Sequence, residues 1–415
     1  MSSVLNSPVE APVAGMRSGA AALARQPILD EKRTVIGYQL FERPRAANNA
    51  DAVLFDALTD AGSDDLAWRK TVFLRCTFDN ITDGHLEMLN PEKVVLEIPG
   101  LAAPTALEVT ARLELLKRAC QAGFRLAFDQ SVLQPDYASW LPHASYIKLN
   151  LDALPVAALE ATVRQARAQS KAQVVADHVG TTDQYESMKK LGIKLFQGNW
   201  FARPSPIQDK TVRASQATII QLLNLVRQEA EVSAIEELLK KDPTLSFKLL
   251  RFINSCGFGL RAEITSFRHA VMILGLNQLF RWATLLMTSS MPGGAAPAAG
   301  TAAVVRGRLM ELLAAELLNK EDCDNAFVAG VFSLVDTLVG MPLATVLDSV
   351  DLPEVVANAL LNNEGDLAPF LALAKACESG DEATFAKAAG ELQLSNHQVN
   401  WAHLQALAWA DQLQQ

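Results

Sequence analysis

The sequence predicts an α/β barrel followed by an all-α helical bundle, and three observations carry that prediction. From Thr34 to about Arg203, short β-branched or aromatic runs alternate with helical patterns. After Pro204-Ser205-Pro206 the strand signals stop, and helical periodicity runs from Ala214 to Leu413. At ~150 residues per domain, a chain of 415 residues needs more than one core.

The strand candidates in order are Thr34–Phe41, Val72–Phe78, Val94–Ile98, Phe124–Phe128, Tyr146–Leu149, Val174–Ala176 and Ile193–Phe196. Amphipathic helices are expected between them, such as Ala106–Ala122, which carries Leu107, Leu113, Leu115 and Leu116 and is closed by Gly123 as a helix C-cap. Seven or eight such units in so short a span favour a closed barrel over an open sheet. The first 24 residues, rich in Ala, Ser, Pro and Gly, lack the apolar stretch of a secretory signal and read as a disordered leader. The expected domains are therefore a leader over 1–24, a barrel over 25–205 and a bundle over 206–415.

In the second half, Asp242-Pro243 marks a helix stop and restart, and Leu245, Leu249, Phe252 and Ile253 form an apolar stripe after it. Ser266 can cap a helix and Gly275 can end one. The stretch Met291–Gly300, small and Pro/Gly-rich, reads as a flexible loop between two helical halves. Phe327–Leu347 is the most apolar run, but Ser333, Asp336 and Pro342 within it suit a buried helical hairpin better than a membrane span.

Composition narrows the function classes. Hydrophobic residues make up 50% and charged residues 20%, as in a globular protein. The net charge of −9 gives no support to long-range attraction for DNA, RNA or an anionic membrane. Five isolated cysteines without a CxxC pair point to reduced thiols and a cytoplasmic location.

Chemistry in a parallel βα barrel sits at the carboxyl ends of the strands. The polar residues there are Gln39, Arg43, Arg75, Glu97, Asp129, Gln130, Lys148, Asn150, Asp177 and Gln197. The blocks that contain them are Arg25-Gln-Pro-Ile, Gly37-Tyr-Gln-Leu-Phe-Glu-Arg43, Leu96-Glu97, Gly123-Phe-Arg-Leu-Ala-Phe-Asp129, Ile147-Lys148-Leu-Asn150, Val174-Val-Ala-Asp177 and Gln197-Gly-Asn-Trp-Phe-Ala-Arg-Pro204. In this order and over about 180 residues they resemble the EAL domain phosphodiesterases of cyclic dimeric GMP.

That resemblance implies two-metal phosphodiester hydrolysis, in which acidic residues hold paired divalent ions. The chain departs from the pattern at several ligand positions. Gln39 stands for the naming glutamate, Arg75 for an asparagine, Gln130 and Asn150 for aspartates, and Asp177 for a longer glutamate, while Glu97, Asp129, Lys148 and Gln197 are kept. Three carboxylates against Arg75 and Lys148 leave a net charge of −1. A guanidinium beside a divalent ion costs roughly twice the ~4 kcal/mol of two unit charges at 4 Å and effective dielectric 20. Paired metals are therefore not expected, although Arg forks match phosphate oxygens and leave nucleotide binding open.

The run from Ala214 to Met287, with Ile264-Thr-Ser266 and Ala270-Val-Met-Ile-Leu-Gly275, resembles the HDOD domain, a helical relative of the HD phosphohydrolases. No His-Asp doublet is present, and Gly330-Val-Phe-Ser333-Leu334 stands where it would fall. Glu321-Asp-Cys-Asp324 reads as a loop, with Asp324 capping a helix from Asn325. Together the two resemblances describe an EAL–HDOD signalling protein of bacteria. The expectation is a protein without catalytic residues, cofactor or metal, whose two domains bind an unidentified protein partner. A weak cyclic dimeric GMP phosphodiesterase and a metal-independent sensor of that nucleotide are the alternatives. The helix after Thr211, with Ile219, Ile220, Leu222, Leu223 and Val226, is expected to form the boundary with the barrel.

Overall fold

The computed structural model describes residues 22–43, 70–82, 85–101, 105–202, 214–240, 267–289, 297–350, 352–379 and 381–413. Eight strands close into a barrel in chain order. They are β1 (Ala22–Leu29), β2 (Val35–Arg43), β3 (Thr71–Arg75), β4 (Val94–Ile98), β5 (Arg125–Asp129), β6 (Ala144–Asn150), β7 (Gln173–Asp177) and β8 (Leu195–Gln197). Strand β1 is antiparallel to both neighbours, and every other pairing is parallel.

The parallel strands return through helices α1 (Phe78–Thr82), α2 (Ala106–Gln121), α3 (Val156–Gln169) and α4 (Thr182–Lys190). Helix α2 matches its sequence signals closely. Thr105 and Glu108 form a reciprocal capping box at its start, and Gly123 after its end has a φ of +94°, which disfavours any residue with a Cβ. Inside the barrel Ile28, Phe73, Val95, Ala127, Val175 and Leu195 pack into a compact core, separate from the larger core that joins the strand backs to the helices. Side chains alternate across a strand, so residues two positions beyond this inner layer also point inward.

The second half is helical: α5 (Ala214–Arg227), α6 (Val232–Lys240), α7 (Phe267–Ser289), α8 (Pro297–Ala314), α9 (Lys320–Phe332), α10 (Val335–Val339), α11 (Leu343–Leu347), α12 (Glu354–Leu361), α13 (Ala368–Ser379), α14 (Glu382–Glu391) and α15 (Asn396–Leu413). The predicted break at Gly275 is real, since α7 kinks there with a φ of +76°. Helix α8 forms the centre of the bundle, and 13 of its residues are buried, Arg306 among them. Gly307 and Gly330 allow α8 and α9 to touch: a Cβ on Gly330 would lie 2.5 Å from the Gly307 Cα.

The bundle docks on the outside of the β1–β2 hairpin. A tight antiparallel turn has no crossover helix to cover its outer face, and α8, α13 and α15 cover it here. The Ala298 N–H donates to the Arg33 carbonyl at 3.0 Å, Lys70 pairs with Asp411 at 3.3 Å, and Arg25 pairs with Glu378 at 3.4 Å.

Several sequence expectations need correction. Strand β1 begins at Ala22, inside the stretch read as leader; Pro27 and an alanine-rich start hide its alternation. The remainder of that leader, the junction after Arg203 and the Asp242–Pro243 helices lie outside the described residues. Pro297–Gly300, read as flexible loop, is the first turn of α8. Helix α5 packs chiefly on α7 and α6 instead of forming the barrel boundary. Asp324 is not a cap: α9 starts at Lys320 under an Asn319 cap, and Asp324 faces Arg281 at 3.6 Å.

Candidate active site

The strand ends converge as the alternation requires. Gln39, Arg75, Glu97, Asp129, Lys148, Asn150, Asp177 and Gln197 each share the inner face of their strand. Lys148 is buried at the centre, 3.1 Å from Glu97 Oε2 and 3.5 Å from Asp177 Oδ2. Gln39 Nε2 donates to Glu97 Oε2 at 2.6 Å. Gln197, fully buried, donates through Nε2 to Gln26 Oε1 at 2.7 Å and also to Gln39 Oε1. These contacts join β1, β8, β2, β4, β6 and β7 into one polar layer.

Gly198 allows that layer to close. Its φ is +150°, and a Cβ there would fall 2.1 Å from the Val179 carbonyl oxygen. The Val179 N–H in turn donates to the Gln197 carbonyl at 2.9 Å.

Asp129, Gln130 and Asn150 are occupied locally. Asp129 accepts the Ser131 N–H on Oδ1 at 2.7 Å and the Gly100 N–H on Oδ2 at 3.3 Å. Gln130 Oε1 accepts the Asn150 N–H at 3.1 Å, and Asn150 Oδ1 accepts the Asp152 and Ala153 N–H groups. The two positions where the resemblance implies aspartates thus tie β5 to β6 and shape the following turn. Arg75 stands beside Glu97 in register and is exposed, with no carboxylate partner among the described residues. Arg43 closes β2, and its side chain lies outside the described residues.

His178 is the residue the sequence analysis missed. It follows Asp177 directly, has a φ of +62°, and places Nδ1 3.3 Å from Asp177 Oδ1. An Asp–His order at a strand end was the available signal, the reverse of the His–Asp doublet that HD enzymes carry. Burial works against the Asp177 charge, yet Lys148 and the His178 hydrogen bond outweigh it and hold the carboxyl below the usual range. The hydrogen bond to Asp177 raises the His178 pKa against partial burial. An imidazole oriented by a carboxylate, with one nitrogen still directed elsewhere, is suited to proton transfer near neutral pH.

The paired divalent ions implied by the resemblance do not fit this donor set. Glu97 is held by Gln39 and Lys148, Asp177 by Lys148 and His178, and both Asp129 oxygens face backbone N–H groups. Among the described residues no three His, Cys, Asp or Glu side chains converge as a metal site.

Residues 214–345 match the HDOD domain family. Two relatives align with nearly the whole chain. Cyclic di-GMP phosphodiesterase CdgJ of Vibrio cholerae is 27% identical over 403 residues, 94% of this chain and 92% of that protein. The uncharacterized protein YuxH of Bacillus subtilis is 26% identical over 408 residues, 94% and 98% of the two chains. The solved PaMucR phosphodiesterase in complex with c-di-GMP is 19% identical at a TM-score of 0.37, covering 45% of this chain and 98% of its own.

The match to CdgJ corrects the expectation that the protein is not an enzyme. A relative aligned across both domains is named a phosphodiesterase, so replaced ligand positions do not by themselves exclude activity. No helix among the described residues is long and apolar enough to cross a membrane. A closed eight-stranded barrel followed by a helical region that matches the HDOD domain family over residues 214–345 is the architecture of this chain.

Proposed function

We propose that the protein is a weak phosphodiesterase acting on cyclic dimeric GMP at the mouth of the barrel. The observation that carries this reading is the end-to-end relationship with a protein named for that activity, at 94% and 92% coverage. The site supplies fitting groups. Arg75 is exposed and has no carboxylate partner among the described residues, so its fork can take non-bridging phosphate oxygens. Lys148, buried between Glu97 and Asp177, sets a fixed positive charge beneath it.

Hydrolysis adds water to phosphorus and breaks one P–O ester bond, so one proton leaves the water and one reaches the departing oxygen. His178, oriented by Asp177, accepts the first of these, and solvent water at the open barrel mouth supplies the second. Side-chain acid–base catalysis contributes about 10²–10⁴-fold, so the expected activity is weak.

The test incubates the full chain with cyclic dimeric GMP, with Mg²⁺ or Mn²⁺ and with a chelator, and follows linear dinucleotide by chromatography. Multiple-turnover product that disappears in His178→Ala and in Glu97→Ala is the expected result. Absence of product under all conditions overturns the proposal. Calorimetric binding without turnover would replace it by the sensor alternative.

A further inference from the structure

A second site lies outside the barrel, at its seam with the bundle. A cavity of about 260 Å³ opens there between the outer face of β1–β2 and helices α8 and α13. The barrel contributes Arg25 and Tyr38, and the bundle contributes Thr301, Arg306, Lys375 and Glu378. Three cations therefore line it against one carboxylate.

The charges are fixed in unequal ways. Glu378 takes Arg306 in a two-pronged contact, Nε to Oε1 at 3.2 Å and Nη2 to Oε2 at 2.6 Å, while Arg306 Nη1 donates to Ser333 Oγ at 2.6 Å. Arg25 reaches the same carboxylate through one nitrogen at 3.4 Å, and its guanidinium also lies over the Tyr38 ring at 5.9 Å. Lys375, at the rim, makes no ion pair with a carboxylate among the described residues. Arg25 and Arg306 are almost fully buried. Among the lining residues cations outnumber carboxylates by two, with Asp336 acting on Lys375 from outside the lining.

We propose that this seam is a binding site for a small phosphate-bearing dianion, which joins barrel to bundle by taking Arg25 and Lys375 together. A phosphomonoester carries close to two negative charges near neutral pH, its second pKa being about 6. It therefore matches the excess, whereas a monocarboxylate matches half of it. Guanidinium forks suit phosphate oxygens. The volume lies just below the ~300–1,000 Å³ of ordinary ligand pockets, which limits the ligand to a small molecule. Burial, and after it the neighbouring Arg306, pull the Lys375 pKa down against the weaker opposing effect of Glu378 and Asp336.

The site is independent of the barrel mouth in its residues, and its test does not read catalysis. The full chain is titrated calorimetrically with inorganic phosphate at constant ionic strength, with acetate as the monoanion control. Single-site phosphate binding without acetate binding is expected. Lys375→Gln, an exposed change that leaves the Arg306–Glu378 pair in place, should weaken phosphate about tenfold, equivalent to ~1.4 kcal/mol. Lys171→Gln makes the same charge change on a remote exposed residue and should leave affinity unaltered. Glu378→Gln, if folded by circular dichroism, should bind phosphate more tightly than the wild type. Absent phosphate binding, equal binding of acetate, or wild-type affinity in Lys375→Gln each overturns the proposal.

Discussion

Replacing Glu378 by glutamine keeps the shape of the seam and removes one charge from its centre. In the native protein that carboxylate faces two guanidiniums whose side chains are 4% and 6% exposed, and it is itself 19% exposed. At effective dielectric 20, each unit pair about 4 Å apart is worth ~4 kcal/mol before desolvation, and breaking a buried pair by removing one partner costs about 3–5 kcal/mol net. The Arg306 contact is close and two-pronged and the Arg25 contact is long, so most of the loss belongs to Arg306. Residual solvent access at Glu378 places the expected destabilisation near ~3 kcal/mol. Urea denaturation of wild type, Glu378→Gln, Arg25→Gln and the double variant gives the loss, and the cycle gives the coupling between domains.

Acid adds a second signature. Burial opposes the Glu378 charge, but Arg306 and Arg25 more than compensate and hold its pKa below the usual glutamate range. A depressed carboxyl contributes stability above its unfolded pKa, and that contribution is lost as pH falls through the folded value. The advantage of wild type over Glu378→Gln should therefore be constant near neutrality and shrink below about pH 4. A loss under about 1 kcal/mol, in the range of a surface pair, or an advantage that does not shrink in acid, would refute the reasoning.

Other consequences follow from named contacts. Because Asp177 raises the His178 pKa, Asp177→Asn should move the His178 titration, followed by NMR, to lower pH; an unmoved titration would remove the Asp–His pair from the mechanism. With its folded pKa raised, His178 contributes stability below its unfolded value near 6.5, lost as pH rises through the folded value. Thermal unfolding of wild type and His178→Gln should thus converge at alkaline pH. Gly198→Ala must place a Cβ 2.1 Å from the Val179 oxygen at a φ of +150°, and should cost more than the ~1 kcal/mol typical of point variants, read as a lowered urea midpoint. Trp140, 1% exposed and bonded through Nε1 to the Val109 carbonyl at 2.9 Å, should cost about 3–5 kcal/mol as alanine, measured in the same way.

What could be read from the sequence was what repeats along the chain. Strands β3 to β8 announce themselves because apolar runs end in a polar residue two positions beyond an inward one, as in Val95-Leu96-Glu97 and Val175-Ala176-Asp177. Strand β1 was lost because Pro27 breaks the pattern and because its outward residues, Arg25 among them, pack on a domain 353 positions away in sequence, at Glu378. The polar layer itself was legible as a set of residues but not as a set of partners. Gln130 and Asn150 read equally well as altered metal ligands, and only geometry shows them spent on backbone N–H groups. The helix expected against the barrel was misplaced for a similar reason: the apolar face of α5 is conspicuous, but any helix of a bundle has such a face, and sequence does not say which neighbour covers it.

The barrel mouth and the seam meet in strand β1. Alternation sends Arg25 outward to the seam and Gln26 inward, where Gln26 accepts from Gln197 and Gln197 donates on to Gln39, the partner of Glu97. Adjacent residues of one strand cannot shift independently, because β1 is hydrogen-bonded to β2 along its length and to β8 at Ile28 and Leu29. A change in how the bundle holds Arg25 must therefore either be absorbed by the arginine side chain or be passed to the Gln26–Gln197 contact. The first route is narrow, since Arg25 is 3% exposed and lies over Tyr38 with Glu378 at its head. Coupling still requires two arrangements that both sites bias. The seam supplies a means of biasing them, because two guanidiniums sharing one carboxylate can exchange that sharing when a second anion enters.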